Sequence, residues 1–396
     1  MPTFLVHLTR GLLITTLPLY VLTGMQLSKT HVGIAVGAIG LGKVAIDVPA
    51  GYLLERIGAR RLMLVCGVVV SLSALLMVFS SNFPLVVVAM CLCGAGEGIG
   101  VLSRLSMVSD RVPVDQRGHV SAYLGGSARI ATAAGPLLSA ALSMMGGTVA
   151  VFWCQAGLAL LSVAVVYRFG GELLETNVLC SSNSQKSTLS YISMIKSLFH
   201  VSMFILALQV VREVRKLIFP LSGVAMGLSA SQVSVFASIS FTIDAALFPI
   251  AGRCMDSYGR VFTGVIAVSL MMLAQTLLVP ALTPTLLVAN AIISGIGNGL
   301  SSGIIVAFGA DLAPRDDSKA KFLGYFRLCA DSGELVGPLL VGLVAQFTSI
   351  PTMINVVVTC GVVGMYWLIF FTPETAIRKN SDGIELPSTE FGIPRL

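Results

Sequence analysis

Nine ionisable residues stand in the middle of otherwise apolar runs: Arg10, Lys43, Glu97, Arg129, Arg212, Glu213, Asp244, Asp331 and Glu334. At the centre of a bilayer each costs about 2.5–3.5 kcal/mol to insert, so each is a candidate for function. Two chemistries suit them. Carboxylates facing cations exchange protons and ion pairs, and guanidinium forks hold a carboxylate or phosphate through two parallel hydrogen bonds. His7 lies one turn before Arg10, and Arg215 and Lys216 share a face with Arg212. An anion held by Arg10 and Arg212 is one expectation; neutralisation of these cations by Glu213, Asp47 or Glu97 is its rival. Enzyme chemistry has no convergent set to work with. His7, His31, His119 and His200 are dispersed, seven of the eight cysteines sit in apolar runs, and only Cys180 sits in a polar loop. Cys91 and Cys93 are two apart with no histidine near, which is poor metal spacing. The expectation is no enzyme, no metal and no cofactor.

The elements that must carry these charges follow from composition. Of 396 residues, 55% are hydrophobic and 11% charged, with a mean hydropathy of +0.90. Soluble chains carry about 25% charge, so a soluble enzyme, a nucleic-acid binder and a disordered scaffold are excluded. Crossing a bilayer takes about 20 apolar residues in a helix. Twelve such runs are expected: 3–26, 31–54, 62–81, 84–108, 119–145, 148–168, 199–222, 231–254, 261–280, 285–310, 321–346 and 350–372. The chain thus reads as an all-α, multi-pass membrane protein. The first run lacks a basic leader and a cleavage site, so no signal peptide is expected. The termini and even-to-odd loops, with their bordering span ends, hold 16 cations and the opposite loops hold Lys29 alone. That asymmetry predicts both termini in the cytoplasm. Residues 169–198 read as a serine-rich cytoplasmic linker between six-helix bundles at 1–168 and 199–372, and 373–396 as a polar cytoplasmic tail.

The halves repeat. Pro18-Leu19 matches Pro220-Leu221 and Gly135-Pro136-Leu137-Leu138 matches Gly337-Pro338-Leu339-Leu340, both at an offset of 202. Gly58 with Gly259, Gly96 with Gly297, and Asp110 with Asp311 match at 201. Arg10 and Arg212, Lys43 and Asp244, and Arg129 and Asp331 fall on equivalent positions. Parallel repeats place a site between two bundles near the membrane midplane. The loop Gly51-Tyr52-Leu53-Leu54-Glu55-Arg56-Ile57-Gly58-Ala59-Arg60-Arg61 resembles the loop signature of the major facilitator superfamily. A degenerate copy spans Gly252–Arg260, and Asp110–Gly118 also looks like that family.

The resemblance implies two pseudo-symmetric six-helix bundles and secondary transport by rocker-switch alternating access. It implies a cytoplasmic gate of Gly51, Glu55, Arg56, Gly58, Arg60, Arg61, Asp110 and Arg117 that locks the outward-facing state. Ala131–Ala140 resembles the Gly-Pro motif of proton-coupled drug antiporters, with Ser139-Ala140 where a glycine pair is usual and no arginine near Met90–Cys93. Gly135, Pro136, Gly337 and Pro338 are then either a hinge or a close helix contact. In the family arrangement span 2 faces span 11 and span 5 faces span 8. This implies cross-half pairs Lys43–Asp331 and Arg129–Asp244, with Glu334 able to replace Asp331; a local Lys43–Asp47 pair is the rival. Tyr20, Phe204, Phe219, Phe241 and Phe248 either line the cavity or pack. The favoured function is proton-coupled efflux of drug-like or amphiphilic solutes. Organic-anion transport through Arg10 and Arg212 is the alternative, and a transport-inactive sensor is a remote one. The expected partners are a small-molecule solute, protons and the lipid bilayer, with no nucleic acid. A plasma-membrane monomer is expected.

Overall fold

The computed structural model describes residues 2–111, 117–169, 188–312, 319–372 and 374–375, with the pairs 378–379 and 385–386. Helices fill nearly all of this, because hydrocarbon offers the backbone no partner except itself. They are α1 (Pro2–Leu19), continued by a π-helical turn Tyr20–Gly24, then α2 (Lys29–Val78), α3 (Phe83–Arg111) and α4 (Arg117–Phe169). The second half holds α5 (Thr188–Ala225), α6 (Ala230–Tyr258), α7 (Arg260–Thr276), α8 (Pro284–Leu300), α9 (Ile304–Leu312), α10 (Lys319–Phe347) and α11 (Ile350–Phe371). Beyond α11, Arg378–Lys379 and Glu385–Leu386 pair as a two-residue antiparallel ladder.

Eight helices are long and apolar enough to cross a membrane. Two of them are double. The α2 helix breaks at Gly58, whose φ is +76°, and α4 breaks at Gly146 and Gly147. The α5 helix adds a span that carries Arg212, Glu213, Arg215 and Lys216, and α7 adds a shorter one of 17 residues. With α8 and α9 as one span broken at Ser301–Gly303, the described helices supply the twelve expected spans. Gly58 and its repeat partner Gly259, φ +98°, show why the loop signature keeps glycine there. Each sits where one span turns into the next with a positive φ that a Cβ disfavours.

The α5 helix begins at Thr188, inside the expected linker, because Leu189, Ile192, Ile195 and Phe199 recur at helical spacing among polar residues. The remainder of the linker (170–187) and nearly all of the tail lie outside the described residues. So do the side chains of Asp110 and Arg117.

The halves meet along two seams. On one, α2 and α10 touch backbone to backbone at the end away from the termini. A Cβ on Gly33 would sit 2.5 Å from the Pro338 carbonyl oxygen, and one on Gly40 would sit 2.5 Å from the Leu335 nitrogen. On the other, α4 meets α6, with Gly125 against the Phe248 ring. Toward the terminus-bearing end the seams part. Tyr52 is 68% exposed and Tyr325 60% exposed, and Gly51, Gly126, Gly252 and Gly324 have no side-chain neighbour within 4 Å of a Cβ position. The closed end and the open end define a funnel whose floor is the charged layer at mid-depth.

Candidate functional site

Four charges close a ring at that floor. Lys43 on α2 lies 3.0 Å from Glu97 on α3 and 2.5 Å from Glu334 on α10. Arg10 on α1 lies 3.2 Å from the same Glu97 oxygen and 3.1 Å from the same Glu334 oxygen. Two cations and two carboxylates alternate, so the ring is neutral. Glu334 is the one member from the second half and the tie between halves. Its Oε2 hydrogen-bonds to both cations, whereas Glu97 has no aligned hydrogen bond and is held by charge alone. Buried charge of this kind persists only when paired.

The expected Lys43–Asp331 pair is not formed; Glu334, one turn on, takes it. Asp331 turns to Arg327 at 3.2 Å, and Arg327 reaches Asp47 at 3.5 Å. The local Lys43–Asp47 rival is not formed either, because Asp47 has been claimed across the seam. Arg104 donates to His7 at 2.7 Å.

A second cluster sits at the repeat-equivalent place. Arg129 on α4 meets Asp244 on α6 at 2.5 Å, which is the expected pair. Asp244 also accepts from Arg215 at 3.3 Å, Asn298 at 2.6 Å and Ser302 at 3.3 Å. Asn298 is the repeat partner of Glu97, at an offset of 201. The Asn298–Asp244 hydrogen bond therefore stands where the first half has the Glu97–Lys43 ion pair. That repeat step was the signal by which Asn298 was legible in the sequence and was missed.

Arg10 and Arg212 do not share a partner. Arg10 is neutralised in the ring, whereas Arg212 donates to Ser301 Oγ and Ser301 carbonyl oxygen, both at 2.7 Å, and to Gln209 at 3.1 Å. Ser301 caps the end of α8, and its carbonyl oxygen also accepts from the Ile304 N–H at 3.2 Å.

Between the two seams lies a cavity of about 40 Å³. One end is polar, with Arg10, Glu334, Glu213 and Lys216, the last two ion-paired to each other. The other is apolar, with Leu13, Ile14, Leu17, Val36, Ile39 and Leu217. The volume holds a few waters and no organic solute. Of the five aromatics, Phe204, Phe219 and Phe241 are buried in the core, Tyr20 bonds to Ser80, and Phe248 lies 4.8 Å under the Arg129 guanidinium.

Among the gate candidates, Arg60 donates to the Tyr167 carbonyl oxygen at 3.1 Å. Glu55, Arg56 and Arg61 are exposed and have no ion pair among the described residues. The equivalent corner of the second half is assembled. Arg260 reaches Asp256 at 3.0 Å and Asp311 at 3.1 Å, and Thr375 donates to Asp311 at 2.6 Å. The Glu374 carboxylate accepts the first backbone N–H groups of α7, from Arg260 at 2.8 Å and Val261 at 2.9 Å. Glu374 and Thr375 were not legible, since they lie in a tail whose composition says only that it is polar. Gly135 abuts Gly11 of α1, at 2.9 Å from a Cβ on Gly11 to the Gly135 Cα, and Gly337 abuts Val210 of α5. Both Gly-Pro sites are close helix contacts in this conformation.

Twelve spans in two repeats, with a charged layer between them, define an integral membrane transporter architecture. The Major Facilitator Superfamily model matches residues 3–211 and again 197–393. The chain belongs to that superfamily; it is a multi-pass transporter of small solutes and not an enzyme. The structure of the nucleoside transporter NupG is similar, with a TM-score of 0.72 at 14% identity, covering 93% of this chain and 97% of that one. A POT family transporter in complex with a thioalcohol-conjugated peptide is similar too, with a TM-score of 0.75 at 12% identity and 93% of each chain covered. At such identities the likeness is one of fold. No curated protein matches the chain.

Proposed function

We propose that the protein is a proton-coupled secondary transporter of a small organic solute, working by rocker-switch alternating access. The observation that carries this is the Arg10–Glu97–Lys43–Glu334 ring. One carboxylate from the second half holds two cations of the first, at the depth where a moving seam must open. Protonation of Glu334 removes the attraction that joins the halves there, and the seam parts. The charge asymmetry of the loops supports placing the termini, and thus the open funnel, on the cytoplasmic side; the conformation is then inward-facing. Exposure of Glu55, Arg56 and Arg61 agrees with a gate that engages only in the opposite state. The largely apolar cavity, with a few charged groups in its wall, favours amphiphilic, drug-like cargo, and its small volume means the bundles must separate further to admit it. A monomer in the plasma membrane completes the reading.

The test is accumulation in proteoliposomes under an imposed pH gradient, with anionic, cationic and neutral solute panels. Glu334→Gln is expected to lose gradient-driven accumulation while retaining solute exchange at equal pH. Wild-type accumulation in that variant would remove Glu334 from the coupling.

A further inference from the structure

The two mid-membrane clusters are related by the repeat but not by charge. The ring of Arg10, Lys43, Glu97 and Glu334 balances two cations with two carboxylates. Around Asp244 the balance fails. Arg129, Arg212 and Arg215 gather there, and among the described residues Asp244 is the one carboxylate within 4 Å of any of them. Arg212 has no carboxylate within that distance among the described residues. It nonetheless lies within electrostatic reach of Arg129, Asp244, Arg215 and Glu213, and its partner Ser301 is the residue before the Ser302 that binds Asp244. Glu213 is engaged by Lys216 and adds no net charge. Two positive charges remain in excess in the low-dielectric middle of the protein.

The Nε atoms of Arg212 and Arg215 are buried and have no acceptor, and the Arg215 side chain is 2% exposed. Arg129 spends a single N–H on Asp244 and is 25% exposed. Phe248 and Phe241 lie under the guanidinium groups of Arg129 and Arg215, at 4.8 and 4.6 Å. Ring faces offset part of a buried cation but satisfy none of its N–H groups in the plane. Excess buried charge with unmet in-plane donors calls for an acceptor of opposite charge.

We propose that Arg129, Arg212 and Arg215 form a binding site for a small oxyanion, a carboxylate or phosphate group of the transported solute. The proposal rests on the transporter reading and names the acidic group of its cargo. Oxyanion geometry matches guanidinium forks, which chloride cannot. Arg129 comes from the first half and Arg212 and Arg215 from the second, so the anion bridges the α4–α6 seam as Glu334 bridges the other. The site lies off the neutral ring, and Arg10 takes no part in it.

The experiment titrates the purified full-length protein with inorganic phosphate and with succinate at constant ionic strength, following Tm. Chloride is the matched control. Wild type is expected to gain Tm saturably with at least one of the two oxyanions and not with chloride. Arg212→Gln is expected to weaken that apparent affinity by at least about tenfold. Arg212→Lys, which keeps the charge and loses the fork, should weaken it less but measurably, and it serves if the glutamine variant does not fold. Exposed Arg253→Gln should bind as wild type. A Tm insensitive to both oxyanions, or raised equally by chloride, overturns the proposal. So does a full response in the Arg212 variants. Transport of neutral solutes without oxyanion binding would defeat this site and leave the transport reading standing; oxyanion binding without any transport would do the reverse.

Discussion

Gly33→Ala should hold the protein away from the conformation described here. A Cβ at residue 33 would lie 2.5 Å from the Pro338 carbonyl oxygen and 2.8 Å from the Gly342 Cα. Ordinary contact begins near 3.4 Å, so α2 and α10 must separate by about 0.9 Å where both neighbours are backbone and neither can rotate aside. Overpacking of this size costs about 1–3 kcal/mol. The cost falls on the state in which this end is closed, because the opposite state parts the same surfaces. The ratio of closed to open at that end should fall about 5–150-fold. Spin labels at the exposed positions Gln26 and Thr348, in a background without the native cysteines, read the separation across that end. The expected result is a shift of the distance distribution to longer values, with slower transport. Gly126→Ala, which meets nothing within 4 Å, should leave both unchanged. An unshifted distribution in Gly33→Ala, with transport at the wild-type rate, would refute the claim that these glycines form the seal.

The Arg129–Asp244 contact predicts that Arg129→Asp and Asp244→Arg each abolish transport. Combining them should restore part of it, and only part, because Arg215 at 3.3 Å then faces a cation; no recovery in an inserted, folded double variant counts against a cross-half pair. Glu374→Ala frees two N–H groups at the start of α7 and should lower stability by about 0.5–2 kcal/mol, seen as a drop in Tm. An unchanged Tm there means that water caps the helix as well as the carboxylate does.

The spans were legible because twenty-residue apolar runs have no other use in a chain this poor in charge, and the repeat was legible because glycine, proline and aspartate keep step at fixed offset. The Arg129–Asp244 pair was legible from the repeat and the family arrangement together. What escaped has physical causes. Choosing between Asp331 and Glu334 requires knowing which face of α10 meets α2. The two lie three residues apart, a rotation of about 60° from one another, which sequence spacing alone does not fix. Arg10 and Arg212 are equivalent by number, yet their surroundings differ because Glu97 was replaced by Asn298 in the second half. The helical start at Thr188 was not legible because apolar residues spaced among serines and lysine look polar to any test of mean hydropathy.

The polarity of the short cross-half contacts has a consequence for assembly. Arg10, Lys43 and Arg129 are cations of the first half, and their partners Glu334 and Asp244 are anions of the second; among the described residues the longer Asp47–Arg327 contact runs the other way. Suppose two first halves from neighbouring chains met by the same two-fold. Lys43 would then confront the span of Arg129, cation against cation. Two second halves would set Asp244 against the span of Glu334 and Asp331. Both mismatched unions bury like charges at close range. The two seams therefore favour the union of unlike halves over the union of like ones.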